Sequence, residues 1–292
     1  MTTQQMAVHG RALTVRVPGS CGELVQGIVD GVRLHVSCPV DRYARATWRS
    51  GASRVQGEKV RRALAAAGAS REFGAGLTMR SDLPRGIGMA SSTADIGAAV
   101  GLWLAMGRGA PDPGAVARAA LAVEPTDGVL FDGVVLFDHR RGTVLERWGS
   151  PPPIEVVAVE AGGPVDTLAF NERDTAAVSR EQAGSILQAF DLVRRGLAQG
   201  DAASIGRGAT ISALCHQNIL PKPALEPLLR LALEEGGYGV NVAHSGSLIG
   251  LLLPPGGYDR ERVARRIAEL APSRAPVRRL RLVGGGIDVG NT

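Results

Sequence analysis

A glycine-rich segment followed by two serines is the part of this sequence best suited to chemistry. It runs from Leu83 to Asp95 and reads L-P-R-G-I-G-M-A-S-S-T-A-D. Gly86 and Gly88 lack a Cβ atom, so they can adopt positive φ angles and expose their backbone N–H groups. A helix should begin near Ala90, and the unpaired N–H groups and positive dipole at its N-terminus favour a phosphate group. A serine hydroxyl beside that phosphate can also bind Mg²⁺.

The same segment has a simpler interpretation, in which it is a turn capped by a serine. Two glycines, two small residues and paired serines directly before a helix form a more specific pattern than a single G-x-G. No lysine follows these glycines, so the segment is not the P-loop pattern G-x-x-x-x-G-K-[ST]. We therefore predict a phosphate-binding helix N-terminus of another kind.

The elements that would position this segment follow from the periodicity of the apolar residues. Residues 12–48 read as strands, with Gly31 separating two extended segments. The Ala/Gly-rich run at 91–106 predicts a helix that is buried nearly all round. The other elements expected in this half of the chain are helices at 55–67 and 113–123 and strands at 77–79 and 134–137.

Three consecutive prolines at 151–153 mark the best candidate for a domain boundary, because proline continues neither a helix nor a strand. We therefore expect an N-terminal domain over 1–150 and a C-terminal domain over 151–292. The second half mixes strands and helices in a pattern typical of α+β folds with antiparallel pairing. Its expected strands lie at 154–159, 239–242, 247–253 and 277–282, and its expected helices at 172–199, 201–214, 222–235 and 259–270.

The composition disfavours several classes of protein. The chain has 292 residues with 45% hydrophobic side chains, and its 33 Lys and Arg against 28 Asp and Glu give a net charge of +5. The basic residues are scattered rather than clustered, which argues against nucleic-acid binding, while a mild basic excess suits anionic small molecules. The sequence has no run of about 18 apolar residues, so we expect no membrane helix.

The cysteines and the N-terminus point to a reducing compartment. Cys21, Cys38 and Cys215 are odd in number and far apart, and no C-x-x-C pair occurs. Neither a disulfide framework nor a structural zinc site is therefore expected. Residues 1–10 lack the apolar core of a signal peptide. We predict a cytoplasmic protein, monomeric or homodimeric, that acts on small molecules and binds neither nucleic acid nor a membrane.

The glycine-rich segment resembles the second motif of the GHMP small-molecule kinases, P-x-x-x-G-L-G-S-S-A-A. The residues that match it are Pro84, Gly88, Ser91, Ser92 and Ala94. The usual Leu, Gly and Ala of the family are replaced by Met89, Ala90 and Thr93, and the Cβ of alanine narrows the approach of a phosphate. The resemblance implies that ATP is bound by Pro84, Gly86, Gly88, Met89, Ala90, Ser91, Ser92 and Thr93.

Two further segments resemble the other family motifs in the expected order. Residues 17–24, V-P-G-S-C-G-E-L, lie where the first motif belongs, and residues 241–250, N-V-A-H-S-G-S-L-I-G, resemble a variant of the third. The residues of the three segments, together with E-P-T-D-G at 124–128, resemble the corresponding sequences of the L-threonine kinases of cobalamin biosynthesis. This resemblance implies the α+β, two-domain GHMP kinase fold. Its N-terminal domain is like domain 2 of ribosomal protein S5, and its C-terminal domain is ferredoxin-like.

The activity implied by the resemblance is ATP-dependent phosphorylation of the L-threonine hydroxyl, giving O-phospho-L-threonine for the aminopropanol linker of coenzyme B12. One alternative is a kinase of the same family for another small alcohol, such as homoserine. Another is a protein of this fold that acts by binding and has no catalytic activity. The presence of Ser92, Glu124 and Asp127 argues against that last alternative.

Three residues are candidates for the catalytic centre. The family pattern places Ser92 and Glu124 on Mg²⁺, which takes hard oxygen ligands and keeps several waters. Glu124 otherwise reads as a solvated carboxylate at the end of a helix. Asp127 occupies the place of the family's catalytic aspartate, where it would accept the proton of the threonine hydroxyl or only orient that hydroxyl. The simpler interpretation of Asp127 is an Asp-Gly turn.

Contacts to the substrate are expected in the first and third motifs. Glu23 and Gln26 lie beside where an amino acid would sit, and Glu23 either pairs with the α-ammonium group or makes a hydrogen bond within its loop. His244 is better explained as a packing or hydrogen-bonding residue than as a second base. An arginine should bind the substrate carboxylate, but the sequence does not identify it. The residues expected to form a backbone lip near the phosphates or the substrate are Ser245, Gly246 and Ser247.

Overall fold

The computed structural model describes residues 13–50, 57–161, 176–271 and 277–291. Several sequence predictions extend beyond these ranges. The interpretation of residues 1–10 lies outside the described residues, as do the first residues of the helices expected from 55 and from 172.

A long β-hairpin begins the fold. Strands β1 (Leu13–Val29) and β2 (Val32–Trp48) pair antiparallel, and the turn at Asp30 and Gly31 has φ angles of 48° and 77°. The register of β1 against β2 shifts within residues 18–25, so the first motif lies in the irregular part of this strand. The N-terminal half continues with α1 (Glu58–Ala66), α2 (Arg71–Gly76), β3 (Leu77–Ser81), α3 (Ser91–Arg108), α4 (Pro113–Leu121), a 3₁₀ turn (Gly128–Leu130), β4 (Val134–Asp138) and β5 (Thr143–Gly149).

The C-terminal half alternates helices and strands. It contains β6 (Glu155–Glu160), α5 (Ala176–Gln199), α6 (Ala202–His216), α7 (Leu225–Glu234), β7 (Gly239–Val242), β8 (Leu248–Leu253), α8 (Arg260–Leu270), β9 (Arg278–Arg281) and β10 (Asp288–Asn291). The predicted α+β class is confirmed. The sequence did not predict α2, β5 or β10, because α2 has only 6 residues, β5 is largely exposed and β10 has only 4 residues.

One antiparallel sheet crosses both halves of the chain, in the order β5-β4-β2-β1-β7-β8-β6-β9. The two halves meet where β1 pairs with β7 through Glu23 and Val242, and β10 returns to pair with the beginning of β1. The junction between the halves therefore lies at the first motif. The proline-rich connector joins β5, at the edge of the N-terminal half, to β6. The division of the chain into domains near residue 150 stays a prediction.

Helix α3 packs closely on the hairpin. A Cβ added at Gly97 would lie 3.2 Å from the Val17 side chain of β1, and one added at Gly101 would lie 3.3 Å from the Val15 side chain. The fully buried residues of this helix include Ala94, Ile96, Ala98, Ala99, Val100 and Leu102. Small residues thus allow the helix to lie deep in the core, as the sequence predicted. No helix in the described ranges is both long and apolar enough to cross a bilayer.

Candidate active site

The glycine-rich loop at 86–90 is held between two other segments of the chain. From the first segment, the N–H group of Gly22 donates to the carbonyl oxygen of Gly88 at 3.0 Å. From the third segment, the N–H group of Ser247 donates to the carbonyl oxygen of Ile87 at 3.1 Å. The three sequence segments that resemble family motifs therefore meet at one place, on the junction between the two halves of the sheet.

Two glycines are needed for this close contact. Gly88 has a φ angle of +98°, and a Cβ added there would lie 2.2 Å from the Cβ of Ala243. A Cβ added at Gly246 would lie 2.4 Å from the carbonyl oxygen of Ile87. Gly88 thus allows the loop to pack against the third segment. From the sequence, Gly88 was expected only to expose its backbone N–H group.

Helix α3 begins directly after this loop, at the wall of a cavity. Its N-cap residue, Ala90, has a left-handed conformation with φ 50° and ψ 27°, and no side chain caps the helix. An alanine in this conformation costs roughly 1–2 kcal/mol relative to a right-handed one. An N-terminus without a side-chain cap presents N–H donors and the positive end of the helix dipole to the cavity.

The cavity has a volume of about 580 Å³, which is in the usual range for a small-molecule site. Most of the residues proposed from the sequence line it. They are Glu23, Gln26, Gly86, Gly88, Met89, Ala90, Ser91, Ser92, Thr93, Glu124, Asp127 and Ser245. The residues that contact or flank the loop without lining the cavity are Pro84, His244, Gly246 and Ser247.

Ser92 and Glu124 form a pair of oxygen donors beside the start of α3. The Ser92 hydroxyl donates a hydrogen bond to Oε1 of Glu124, and Oε2 of Glu124 pairs with Nζ of Lys59 at 2.6 Å. The Glu124 side chain is 15% exposed, whereas that of Lys59 is 55% exposed. Glu124 is therefore not the solvated carboxylate of the simpler interpretation. It already holds one cation in the cavity.

The described residues contain no group of three or more His, Cys, Asp or Glu side chains arranged to hold a metal ion. A hydroxyl and one carboxylate do fit a magnesium ion that takes its other ligands from water and from phosphate oxygens. The pair formed by Ser92 and Glu124 therefore fits a metal that arrives together with a nucleotide better than a metal bound by protein alone.

Asp127 lies deeper in the cavity, at the start of the 3₁₀ turn. Its Oδ1 accepts hydrogen bonds from the Ser37 hydroxyl at 2.5 Å and from the Val129 N–H group at 3.0 Å. Burial raises the pKa of this carboxyl group to about 6, although the Ser37 hydrogen bond lowers it and the negative charge of Glu23 adds to the rise. Asp127 is thus an N-cap residue that also lines the cavity. Its pKa lies close to neutral pH.

Glu23 connects the cavity to the third segment. Its Oε2 accepts a hydrogen bond from the backbone N–H group of His244 at 2.9 Å and lies 3.1 Å from Nδ1 of the same residue. Burial raises the pKa of Glu23, and the positive charge of Lys222 opposes that rise. Burial also lowers the pKa of His244 to about 3, so this ring is neutral and acts as a hydrogen-bonding residue.

Lys222 is a buried cation behind Glu23. It is 4% exposed, and its Nζ atom has no hydrogen-bond partner among the described residues. Burial lowers its pKa to about 8, while the charge of Glu23 opposes that shift. Nothing in the sequence around position 222 indicated that this residue would act on the charge of Glu23.

Two stacked histidines complete the cavity wall. His35 lies on β2 opposite Gln26, and His139 directly follows β4; their ring centroids are 5.1 Å apart with an angle of 10° between the planes. Both residues are buried, and both line the cavity. Sequence reasoning missed them, because the only signal was a histidine within an apolar strand and no spacing relates position 35 to position 139.

The mouth of the cavity carries another ion pair that the sequence did not predict. Nη2 of Arg85 lies 3.1 Å from Oδ2 of Asp95, and both residues line the cavity. The Arg85 side chain is 77% exposed, whereas Asp95 is buried. Burial raises the pKa of Asp95, and the charge of Arg85 opposes that rise.

Comparison with known proteins identifies a family model and relatives that this chain matches. Residues 193–273 match a family model described as the C-terminal domain of GHMP kinases. The chain is 33% identical to an L-threonine kinase of Salmonella typhimurium, over 92% of this chain and 93% of that protein. It is 30% identical to an L-threonine kinase of Citrobacter freundii, over 93% of this chain and 98% of that protein.

The fold is similar to those of solved kinase structures. A mevalonate kinase of L. major, in complex with R-mevalonate, aligns with a TM-score of 0.66 at 12% identity, covering 96% of this chain and 97% of that one. A homoserine kinase of Cytophaga hutchinsonii aligns with a TM-score of 0.64 at 15% identity, covering 96% and 98%. At these identities the likeness concerns the fold alone.

Proposed function

This chain belongs to the GHMP kinase family, and we propose that it transfers the γ-phosphoryl group of ATP to the side-chain hydroxyl of free L-threonine. The products are O-phospho-L-threonine and ADP. The choice of L-threonine rests on the curated relatives, which are aligned over more than nine-tenths of this chain. The observation that carries the chemistry is a single cavity that contains an uncapped helix N-terminus, the Ser92–Glu124 pair and the buried Asp127.

The nucleotide binds with its phosphates at the N-terminus of α3. The N–H groups there and the positive helix dipole bind phosphate oxygens without a lysine of the P-loop type. Ser92 and Glu124 hold Mg²⁺, which when bound neutralises part of the charge of the triphosphate. The present contact of Glu124 with Lys59 supports this assignment, because it shows that the carboxylate attracts a cation.

Asp127 receives the proton of the substrate hydroxyl. The hydroxyl oxygen forms a bond to the γ-phosphorus as the bond from that phosphorus to the bridging oxygen of ADP breaks. With a pKa of about 6, Asp127 is ionised at neutral pH and is a stronger base than an exposed aspartate. Its hydrogen bonds from Ser37 and Val129 fix the carboxylate in position.

Glu23 binds the α-ammonium group of the amino acid. It lines the cavity and is held by His244, so its carboxylate has a fixed position. The charge of Lys222 favours the ionised form of Glu23 despite burial. We place the reaction in the cytoplasm, where ATP is available, and assign the product to the aminopropanol linker of cobalamin on the basis of the sequence resemblance.

The test is an assay of ADP release with L-threonine, L-serine and L-homoserine side by side, with the product identified by mass spectrometry. We expect the highest kcat/KM for L-threonine and lower values for L-serine, which lacks one methyl contact worth about 1–3 kcal/mol. A higher kcat/KM for L-homoserine would contradict L-threonine as the substrate, but the proposed kinase activity would stand. ATP binding without turnover of any amino-acid alcohol would contradict the activity itself.

A further inference from the structure

Each of the stacked histidines that line the cavity has one buried ring nitrogen without a hydrogen-bond partner among the described residues. Nε2 of His35 and Nδ1 of His139 are buried and have no hydrogen-bond partner among the described residues. The two residues are 5% and 6% exposed, and both line the cavity. A buried polar atom that is left without a hydrogen bond costs about 1–3 kcal/mol, so a partner that arrives with a ligand would recover that cost.

Both rings are neutral at neutral pH. Burial lowers the pKa of His35 to about 4 and that of His139 to about 3. A neutral imidazole has one N–H group, so each ring can donate one hydrogen bond to a ligand. The rings are stacked with their centroids 5.1 Å apart, so the two donors lie close together.

The surroundings of the pair indicate which ligand group it fits. Glu23 and Asp127 also face this cavity, and both are acceptors when ionised. They account for the ammonium and hydroxyl groups of an amino acid under the function proposed above. The remaining group is the α-carboxylate, which needs hydrogen-bond donors, and Arg85 already pairs with Asp95 at the mouth of the cavity.

The strand pattern and a backbone hydrogen bond connect both histidines to the region of Asp127. His35 lies on β2 two residues before Ser37, which donates to Asp127, so these side chains share one face of the strand. His139 accepts a hydrogen bond at its carbonyl oxygen from the N–H group of Thr126, next to Asp127, at 3.1 Å. A small amino acid can therefore contact the histidines and Asp127 at the same time.

We propose that His35 and His139, which both line the cavity, together bind the α-carboxylate of the amino-acid substrate through their ring N–H groups. This inference rests on the proposed function, because it names the acceptor subsite of that reaction. It assigns to two neutral histidines the role that sequence reasoning gave to an unidentified arginine. The enzyme should accordingly discriminate against substrates that have the hydroxyl and ammonium groups but no carboxylate.

The experiment compares L-threonine with L-threonine amide, in which a neutral amide replaces the carboxylate. We expect the wild type to prefer L-threonine in kcat/KM, and His35→Leu and His139→Leu each to reduce that preference by about ten- to a hundredfold, the range of a hydrogen bond to a charged group. The affinity for ATP, measured by calorimetry, should stay at the wild-type value and shows that each variant is folded.

Three further variants make the comparison specific. His35→Gln and His139→Asn keep an N–H donor near the original nitrogen, so they should retain much of the preference and still fold if the leucine variants do not. His216→Gln is the matched control, because His216 is buried but does not line the cavity. Its preference for L-threonine over the amide should equal that of the wild type.

Two results would overturn the subsite. One is a folded leucine variant that keeps the wild-type preference, and the other is an equal loss of preference in His216→Gln. Calorimetric binding of the two compounds in the presence of a non-hydrolysable ATP analogue separates this inference from the proposed function. Absence of phosphoryl transfer with intact discrimination in binding would contradict only the function, whereas equal binding of both compounds to the wild type would contradict the subsite.

Discussion

The two ends of the cavity are built in different ways. The end where we propose that the phosphates bind, called the phosphate end, is formed by residues 86–93 and Glu124, so most of it comes from one continuous segment. The end where we propose that the amino acid binds, called the acceptor end, takes its side chains from β1, β2, the residue before the 3₁₀ turn and the residue after β4. Those side chains belong to Glu23, His35, Asp127 and His139. A group common to all nucleotides can be bound by local backbone, whereas recognition of one small amino acid requires side chains from distant parts of the chain.

The two ends also differ in electrostatics. At the acceptor end, burial raises the pKa of Asp127 to about 6 and lowers that of His35 to about 4. At the phosphate end, the helix N-terminus supplies a positive field that does not titrate. Changes at the acceptor end should therefore affect catalysis and its pH dependence, and changes at the phosphate end should affect the requirement for metal and ATP.

The largest effect should follow from Asp127→Asn. We expect kcat to fall by about 10²–10⁴-fold, the usual contribution of a general base, with little change in KM for either substrate. The asparagine oxygen can still accept the hydrogen bonds of Ser37 and Val129, so the fold should be preserved. Steady-state kinetics, with ATP affinity as a control, provide the measurement. A loss below about tenfold would leave Asp127 with an orienting role.

Glu124→Gln should produce a smaller effect, at the other end of the cavity. It removes the charge but keeps the shape, so the Mg²⁺ concentration needed for half-maximal rate should rise by about 10–100-fold, the range seen when support of a metal site is lost. The Mg²⁺ dependence of ATP binding, followed by calorimetry, should move in parallel. An unchanged magnesium titration would show that this carboxylate does not serve the metal.

Lys59→Met is the matched variant for that prediction. Lys59 pairs with Glu124 and would have to yield to the metal ion. Its removal should therefore lower the Mg²⁺ requirement, which is the opposite direction to Glu124→Gln. A rise in the requirement for both variants would mean that Lys59 supports the nucleotide directly.

The pH dependence should come from the acceptor end. The raised pKa of Asp127 predicts that kcat/KM is constant above about pH 7 and falls about tenfold per pH unit well below pH 6, because the protonated carboxyl group accepts no proton. The expected loss at pH 5 is about tenfold. In Asp127→Asn this decline should be absent. A profile that falls at the same pH in the variant would assign the titration to another group.

The phosphate end was largely predictable from the sequence because its information is local. Two glycines, small residues and paired serines before a helix are adjacent along the chain, and the helix from Ser91 begins where it was expected. Strand β7 at Gly239–Val242 was predicted with the same bounds for a similar reason, since an apolar run flanked by glycine is a local signal.

The acceptor end was only partly predictable because it forms through tertiary contacts. Glu23 was identified through its motif, but its bond to His244 depends on the pairing of β1 with β7, about 220 residues apart in sequence. His35 and His139 have no neighbouring residues that mark them as lining a site. The position of Gly88 against Ala243 was unpredictable for the same reason.

The smallest predicted effect concerns the backbone at the phosphate end. Ala90→Gly relieves the left-handed conformation at the start of α3, which costs roughly 1–2 kcal/mol for a residue with a Cβ. The new glycine makes the unfolded chain more flexible, which costs about 0.4–1 kcal/mol. The free energy of unfolding should therefore rise by up to about 1.5 kcal/mol, measured from the urea midpoint at an unchanged m-value.

Asp30→Gly separates this effect from a general gain in stability. Asp30 has a φ angle of 48° but lies in the exposed turn between β1 and β2 and does not line the cavity. Aspartate tolerates the left-handed region better than alanine, so the stability gain should be smaller. KM for ATP should be unchanged in Asp30→Gly, whereas in Ala90→Gly it should fall severalfold, because the Cβ that narrows the approach of a phosphate is gone. An unchanged KM for ATP in both variants would show that Ala90 affects the stability of the protein and does not hinder the approach of the ATP phosphates.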